Sequence, residues 1–307
     1  MRVVLALGGN ALQRRNEPND LAHRQRNLQS AARAVAAIAR HHQVIVTHGN
    51  GPQVGMLALA AAAAGSPDPL DVLVAESEGM IGYLIERELA RELPQRDIAT
   101  LLTEVEVDAG DPAFATPSKP IGPCYSEVEA WKLMTERSWR MIRDGNAMRR
   151  AVPSPEPRRI RALSAIKILI EAGAIVICSG GGGIPVVALA DGSLRGIEAV
   201  IDKDLSAALL AEQVEAEALL MLTDVPAVAT DFGNPSSRNI VSANPAQLRQ
   251  FHFAPGSMGP KIEAACRFVE RTGNIAAIGA LEDAEAVLAG TAGTLIRRDS
   301  QPVRYHA

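Results

Sequence analysis

The chain has 307 residues, of which 47% are hydrophobic, and this length allows one large domain or two smaller ones. A formal net charge of −4 and the lack of a long basic run argue against a dedicated nucleic-acid-binding protein. The longest apolar stretch, residues 56–64, is too short to cross a bilayer, so we expect no membrane span. Three widely spaced cysteines indicate neither a disulfide framework nor a zinc site, and we expect them to be reduced thiols in a cytoplasmic protein.

Short runs of β-branched residues alternate with longer helical patterns in the amino-terminal third of the chain. This alternation is typical of an α/β fold with a largely parallel sheet. Asp20 is predicted to be a helix N-cap, because its side chain can accept a hydrogen bond from the first turn. The predicted elements are strands at 3–7, 44–47 and 99–102, and helices at 20–40, 51–64 and 72–89.

The alternation breaks between residues 111 and 161, where seven prolines flank a separate pattern. Ser126 and Glu129 have the spacing of a capping box, which predicts the start of a helix. An Asp-Gly pair at 144–145 predicts the turn of a β-hairpin. We therefore predict a single domain over residues 1–307 with a small lid subdomain inserted into it.

The alternation resumes after the inserted segment. A hairpin is predicted between residues 186–189 and a strand that follows Asp191-Gly192. The other predicted elements are helices at 162–172, after Asp202 and after Ser257, strands at 175–178, 218–223 and 275–279, a turn at 180–183, and a loose tail from Arg297.

Three predicted strands run directly into polar, glycine-rich turns. These turns contain Gly8-Gly9, Gly49-Asn50-Gly51 and residues 180–183. In parallel sheets ligands bind at the carboxyl ends of strands, and glycines there let backbone N–H groups approach an anion. The sequence therefore predicts a phosphate or carboxylate site at this edge of the sheet. None of the turns matches the P-loop or the GxGxxG fingerprint, so a bound nucleotide would need another scheme.

Lysine is scarce, since only five of the 31 basic residues are lysine. Lys119, Lys203 and Lys261 lie in turn-rich sequence, whereas the other two lie in predicted helices. Lysine carries a compact charge on a flexible stem, which suits a phosphate group. Three lysines in turns therefore point to the same kind of site as the glycines.

Two of these lysines lie at predicted helix starts. Lys203 is flanked by two aspartates, and we expect Asp202 to cap the helix while Asp204 holds a lysine ammonium. Ser257 is predicted to cap the next helix, with Lys261 in its first turn. The helix dipole disfavours a cation there, so a bound anion would explain the lysine.

With these turns and lysines, the chain resembles the carbamate kinases, which have the amino-acid-kinase fold. The matching segments occur in family order and span nearly the whole chain. They are ALGGNAL at the amino terminus, THGNGPQVG from Thr47, PSKPIGP from Pro117, RRAVPSPEP from Arg149, SGGGGIPV from Ser179, EAVIDKDL from Glu198, LTDV from Leu222 and GSMGPK from Gly256.

The resemblance implies a three-layer αβα sandwich and the reversible reaction of ATP with carbamate to give ADP and carbamoyl phosphate, with Mg²⁺ accompanying the nucleotide. It implies a cytoplasmic homodimer. It also implies that in cells the reaction often proceeds in the ATP-forming direction, at the end of the breakdown of arginine or other carbamoyl compounds. No metal ligand from the chain is predicted. The implied roles are phosphate binding by Gly8, Gly9 and Asn10, carbamate binding by Gly49, Asn50 and Gly51, nucleotide binding by Thr223, Asp224, Met258 and Gly259, and catalysis by Lys119, Lys203, Asp204 and Lys261.

Within this resemblance, Lys119 would close from the subdomain onto the acceptor side. Many amino-acid kinases have a lysine where Leu7 stands, and the carbamate kinases share its absence. Pro226 and Ala229 depart from the family pattern, which has a tyrosine near the adenine at the second position. We expect weaker or altered nucleotide binding from this change. His48 is expected to be structural, because carbamate is already an anionic nucleophile and needs no general base.

Two alternatives remain open from the sequence. The same fold could transfer a phosphoryl group to another small carboxylate or phosphate acceptor. The chain could also be a sensor that binds a nucleotide or anion without turnover. The complete lysine set with Asp204 argues against a sensor, since a sensor does not need groups that stabilise a transition state.

Overall fold

The computed structural model describes residues 1–9, 20–65, 68–254, 256–300 and 302–306. Its strands are β1 Arg2–Leu7, β2 Gln43–His48, β3 Ile98–Thr100, β4 Glu104–Val107, β5 Lys119–Tyr125, β6 Met141–Asp144, β7 Ala147–Val152, β8 Pro157–Ile160, β9 Ile175–Ile177, β10 Ile184–Ala188, β11 Leu194–Gly196, β12 Ala218–Thr223, β13 Ala229–Thr230, β14 Arg238–Ala243, β15 Ile275–Ala280, β16 Thr294–Ile296 and β17 Arg304–Tyr305. Its α-helices are α1 Leu21–Ala39, α2 Gly51–Ala63, α3 Leu70–Glu92, α4 Glu127–Arg137, α5 Leu163–Glu171, α6 Lys203–Gln213, α7 Pro245–Leu248, α8 Met258–Thr272 and α9 Ala284–Leu288. Among these described helices, none is long and apolar enough to span a membrane.

The largest sheet of the described residues has ten strands, and its central strands are parallel. Across the sheet the order is β13-β14-β16-β15-β12-β1-β2-β9-β3, with β17 paired to β14. All pairs from β15 to β3 are parallel, whereas β16 is antiparallel to β15 and β13 is antiparallel to β14. The predicted α/β class with a largely parallel sheet is confirmed.

Side chains of β1 alternate between two hydrophobic cores on opposite faces of the central sheet. Val3, Leu5 and Leu7 pack with buried residues of α1, α3 and α9. Val4 and Ala6 pack with buried residues of α5, α6 and α8. Successive side chains of a strand point to opposite faces, so helices cover this sheet on both sides. The result is the expected three-layer αβα sandwich.

Residues 111–161 contain a three-stranded antiparallel sheet, in the order β5-β7-β6, together with α4. Ser126 caps α4 through the predicted capping box. The hairpin loop between β6 and β7 is Gly145-Asn146, one residue later than predicted, because Asp144 still pairs across the sheet. Gly145 has a φ of 61°, which a tight hairpin turn of this kind requires.

Strand β5 packs on α2 where two glycines approach closely. A Cβ atom added to Gly55 would lie 1.9 Å from the Cα atom of Gly122, so a larger residue cannot fit without moving the backbone. Gly122 has a φ of 74°, in the left-handed region that favours glycine. Lys119 begins the same strand. The glycine contact therefore lets the strand that carries this lysine lie close against α2.

Some predicted elements differ from the structure. The tail after Arg297 is not loose throughout, because β17 pairs with β14 and the Arg238 guanidinium lies 3.7 Å from the centre of the Tyr305 ring. The strand predicted at 99–102 ends at Thr100. Strands β4 and β8, which the sequence pattern did not reveal, belong to a second, four-stranded sheet in the order β11-β10-β4-β8. Both are short and rich in charge, so their alternation is weak.

Candidate active site

The three glycine-rich turns meet because β1, β2 and β9 are neighbours in the central sheet. The backbone N–H of Gly8 donates to Leu222 O at 2.9 Å, and that of Gly49 donates to Leu7 O at 3.1 Å. A Cβ atom added to Gly49 would lie 3.1 Å from Gly9 N, so the first two turns touch. The predicted meeting of these turns is confirmed, while Asn10 lies outside the described residues.

Two of the three lysines bracket a single carboxylate at the start of α6. Lys203 Nζ lies 2.6 Å from Asp204 Oδ1, and Lys261 Nζ lies 2.9 Å from Asp204 Oδ2. Lys261 comes from the first turn of α8, which packs beside α6. We call these three residues the clamp. A Cβ atom added to Gly49 would lie 3.4 Å from Lys203 Cε, so the clamp adjoins the glycine turns.

Lys119 reaches the same region from the subdomain. Its Nζ atom lies 2.8 Å from Asp202 Oδ2, and the other oxygen of Asp202 accepts the Asp204 N–H at 2.9 Å and the Leu205 N–H at 3.3 Å. Asp202 therefore caps α6 as predicted and also holds Lys119, a second role that the sequence analysis missed. Three lysines against two aspartates leave one positive charge in excess, which suits an anionic ligand.

The lysines keep both aspartates ionised despite their burial. Burial acts to raise the pKa of Asp202, but the adjacent Lys119 ammonium outweighs it and holds the pKa well below its ordinary range. Burial likewise opposes ionisation of Asp204, and Lys203 and Lys261 together hold its pKa below the ordinary value. Both carboxylates are therefore ionised near neutral pH, while burial lowers the pKa of Lys203 against the opposing effect of Asp204.

A cavity of about 600 Å³ opens beside the clamp and the Gly8-Gly9 turn. Thr223 and Asp224 line it from the end of β12, and Met258 lines it from the start of α8. Gly259 is not among the lining residues, and its N–H donates to Ala254 O at 2.9 Å, which shapes the turn before α8. This volume is in the range of small-molecule sites.

The predicted cap of α8 is wrong in one respect. Ser257 precedes the helix, but its side chain makes no capping hydrogen bond. Its backbone has φ −142° and ψ −79°, which is not the extended conformation that an N-cap residue adopts. Ser257 instead lines the cavity.

Aromatic side chains that the sequence analysis did not consider also line the cavity. Phe232, His252 and Phe253 line the same cavity as Ala229. Phe232 is 80% exposed, so its ring is available to a ligand. The aromatic contact expected to be lost at Ala229 therefore has substitutes nearby, which no local motif could have indicated.

The other side of the glycine turns is a buried polar cluster. Asn50 is buried, and its Nδ2 atom donates to Ser77 Oγ at 2.9 Å. Glu78 accepts the Gly180 N–H, and burial raises the pKa of this carboxyl to about 8. His48 is fully buried, and burial lowers its pKa to about 4, so the imidazole is neutral near pH 7. Neutral His48 fits the structural role predicted for it.

The chain is similar to known proteins over nearly its whole length. Residues 1–278 match the Amino acid kinase family. The carbamate kinase of Rhizobium meliloti is 50% identical, with 100% of this chain and 96% of that protein aligned. The carbamate kinase of Haemophilus influenzae is 47% identical, with 100% of both chains aligned. The structure of the Giardia lamblia carbamate kinase bound to AMP-PNP superposes with a TM-score of 0.87 at 36% identity, covering 97% of this chain and 98% of that one.

The chain therefore belongs to the amino acid kinase family, and within that family to the carbamate kinases.

Proposed function

We propose that this chain is a carbamate kinase, which transfers a phosphoryl group reversibly between ATP and carbamate to give ADP and carbamoyl phosphate. The observation that carries the proposal is the clamp, in which Lys203 and Lys261 are both held by Asp204 beside the Gly8-Gly9 turn. The full-length similarity to carbamate kinases supports the choice of acceptor.

Transfer of a phosphoryl group depends mainly on positioning and on stabilising charge. A carbamate oxygen attacks the γ-phosphorus of ATP, and the bond from that phosphorus to the β,γ-bridging oxygen breaks, which releases ADP. In our proposal the turn of Gly8, Gly9 and Asn10 receives the oxygens of the transferred group, and the hydrogen bond from the Gly8 N–H to Leu222 O holds that turn in place. Lys203 and Lys261 neutralise the charge that develops on it, and Asp204 keeps their ammonium groups in place.

On the acceptor side, we assign carbamate to the turn of Gly49, Asn50 and Gly51. Lys119 faces this side from the subdomain and would neutralise the carbamate or the carbamoyl phosphate. Carbamate carries its own negative charge and needs no base, which agrees with a buried neutral His48. Residues 111–161 would act as a lid that carries Lys119 toward or away from this site.

On the donor side, we assign the nucleotide to the cavity lined by Thr223, Asp224 and Met258, with Gly259 shaping the adjacent turn. A kinase that uses ATP implies a divalent metal, and we propose Mg²⁺, which would neutralise the phosphate oxygens. Mg²⁺ is usually held by substrate phosphates and one or two carboxylates. Asp224 fits this role, because it is a carboxylate at the cavity wall, where its Oδ1 accepts a hydrogen bond from Thr223.

We further propose that the reaction runs toward ATP in catabolism, that the protein is cytoplasmic, and that it is a homodimer. Val72, Met80 and Tyr83 leave an apolar face of α3 exposed. Such a face suits a second copy of the chain. No nucleic acid or membrane partner is proposed.

The test is to incubate the purified protein with ADP, Mg²⁺ and carbamoyl phosphate and to measure ATP. We expect ATP to form, and to form far more slowly when acetyl phosphate replaces carbamoyl phosphate. ATP from another acyl phosphate alone would move the assignment to a different acceptor. Tight binding of ADP without any ATP would favour a sensor and contradict the proposal.

A further inference from the structure

Glu78 on α3 is a buried carboxyl that the reaction scheme above does not use. It is 1% exposed, and both of its oxygens accept backbone hydrogen bonds. Oε1 accepts the Gly180 N–H at 2.7 Å, and Oε2 accepts the Thr103 N–H at 3.2 Å. Burying a carboxyl is costly unless its hydrogen bonds are made. The two hydrogen bonds offset the cost of burying Glu78, and one of them is made at the start of the third glycine turn.

The turn that Glu78 holds has an unusual backbone. Ser179 has a φ of 51°, in the left-handed region where a residue with a side chain is strained. Its N–H donates to Thr103 Oγ1 at 3.0 Å, and its carbonyl accepts from Thr47 Oγ1 at 2.8 Å. Residues 181–183 also have positive φ values. Hydrogen bonds from α3, from β2 and from Thr103, the residue before β4, therefore hold this conformation.

The same turn contacts both halves of the proposed active site. A Cβ atom added to Gly181 would lie 2.0 Å from Asn50 Nδ2, on the acceptor side. A Cβ atom added to Gly182 would lie 2.7 Å from Ile201 O, and Ile201 directly precedes Asp202. A shift of the turn would therefore move the acceptor side and the start of α6 together.

We propose that Glu78 is a positioning residue which, through the Gly180 N–H, fixes the turn of residues 179–183 against Asn50 and the start of α6. This inference rests on the proposed function and goes beyond it by naming a residue that contacts no substrate. The turn does not line the nucleotide cavity, and only the start of α6 connects the two, so Glu78 acts mainly on the acceptor side and on turnover and changes ADP binding least.

The test variant is Glu78→Gln, which preserves the shape of the side chain. The glutamine amide has one acceptor oxygen, whereas the two backbone N–H groups of Thr103 and Gly180 need two acceptors. Its NH₂ group would face one of two backbone donors, so the turn would shift. A misplacement of about 1 Å can cost on the order of 100-fold in rate. We expect kcat to fall about 10- to 100-fold and KM for carbamoyl phosphate to rise about tenfold, while KM for ADP stays within about twofold.

Glu88 provides a matched control, because it lies on the same helix and is also buried, at 2% exposed. Its carboxylate pairs with Arg87 and Arg91 and accepts from Gln25, with no contact to the turn. Glu88→Gln should lower thermal stability and leave the kinetic constants unchanged. Equal kinetic effects of the two variants, or loss of ADP affinity in Glu78→Gln, would overturn the role assigned to Glu78.

A second readout does not depend on turnover. Hydrogen exchange of the full chain should be faster at residues 179–183 in Glu78→Gln and unchanged there in Glu88→Gln. If Glu78→Gln fails to fold, Thr103→Val removes the Oγ1 atom that accepts the Ser179 N–H and should give the same effects at smaller size. Normal exchange in the turn would contradict the inference, whereas a wild-type protein that makes no ATP would contradict only the proposed function.

Discussion

The lysines of the site are supplied by two regions that differ in construction. Lys203 and Lys261 come from helices that pack on the central sheet, and the side chain of the Asp204 between them is 6% exposed. Lys119 comes from a small three-stranded sheet and pairs with Asp202, and both of these side chains are 20% exposed. The first pair of cations is fixed by the core, whereas the third depends on how the subdomain docks. The cations of the site are therefore held by two parts of the chain that differ in burial.

The largest effect should follow from removing the carboxylate that the core supplies. Asp204→Asn would leave two buried ammonium groups without their counter-charge, and removing one partner of a buried pair costs about 3–5 kcal/mol. We expect kcat for ATP formation to fall by at least about 10³, because both lysines lose their position. Asp191→Asn, at an exposed turn, is the control and should be silent. Near-normal turnover in Asp204→Asn would mean that the core clamp is not the catalytic centre.

The next effect should separate the subdomain from the core. Lys119→Ala should reduce kcat by about 10²–10³ and leave ADP affinity nearly unchanged, because this lysine faces the acceptor side. Lys132→Ala removes an exposed lysine from the same subdomain and should change neither constant. Kinetics with ADP and carbamoyl phosphate varied in turn provide the measurement. A collapse of ADP binding would show that Lys119 acts on the nucleotide.

The link between the two regions should appear in the pH dependence of stability. The pKa of Asp202 is lowered in the folded chain, so its contribution is present above the unfolded value near 3.8 and is lost as the pH falls through the folded value. Between about pH 5 and pH 3, the free energy of unfolding should therefore fall more in wild type than in Asp202→Asn. Near pH 7 the variant should be less stable by about 1.5–3 kcal/mol. The free energy of unfolding is measured by urea titration at each pH. The same dependence on pH in wild type and in Asp202→Asn would contradict this prediction.

The smallest effect should come from disturbing only the docking of the subdomain. Gly55→Ala would force α2 and β5 apart at Gly122, and we expect kcat to fall about tenfold, since modest misplacement of Lys119 is enough. Gly79→Ala is the control, because its added methyl group would meet only Leu102 at 3.6 Å. Equal kcat values for the two variants would show that the glycine contact does not position Lys119.

Local signals in the sequence predicted much of the fold and part of the site. Asp202 was identified as a helix cap because a cap bonds to residues that follow it directly. Its second partner, Lys119, is 83 positions away in sequence, and only the folded chain brings the two together. Glu78 and Gly180 are 102 positions apart, and a lone glutamate in a helix carries no motif. The glycine turns were the exception, because the rule for parallel sheets places their strand ends at one edge.

Asp202 uses one oxygen for the amino terminus of α6 and the other for Lys119. Docking of the subdomain and ordering of the helix that carries Lys203 are thus coupled equilibria that share one carboxylate. Such coupling is reciprocal. If an anion bound at the clamp strengthens the docking of residues 111–161, the docking of those residues must strengthen anion binding by the same free energy. In this way a ligand on the donor side can prepare the acceptor side without touching it.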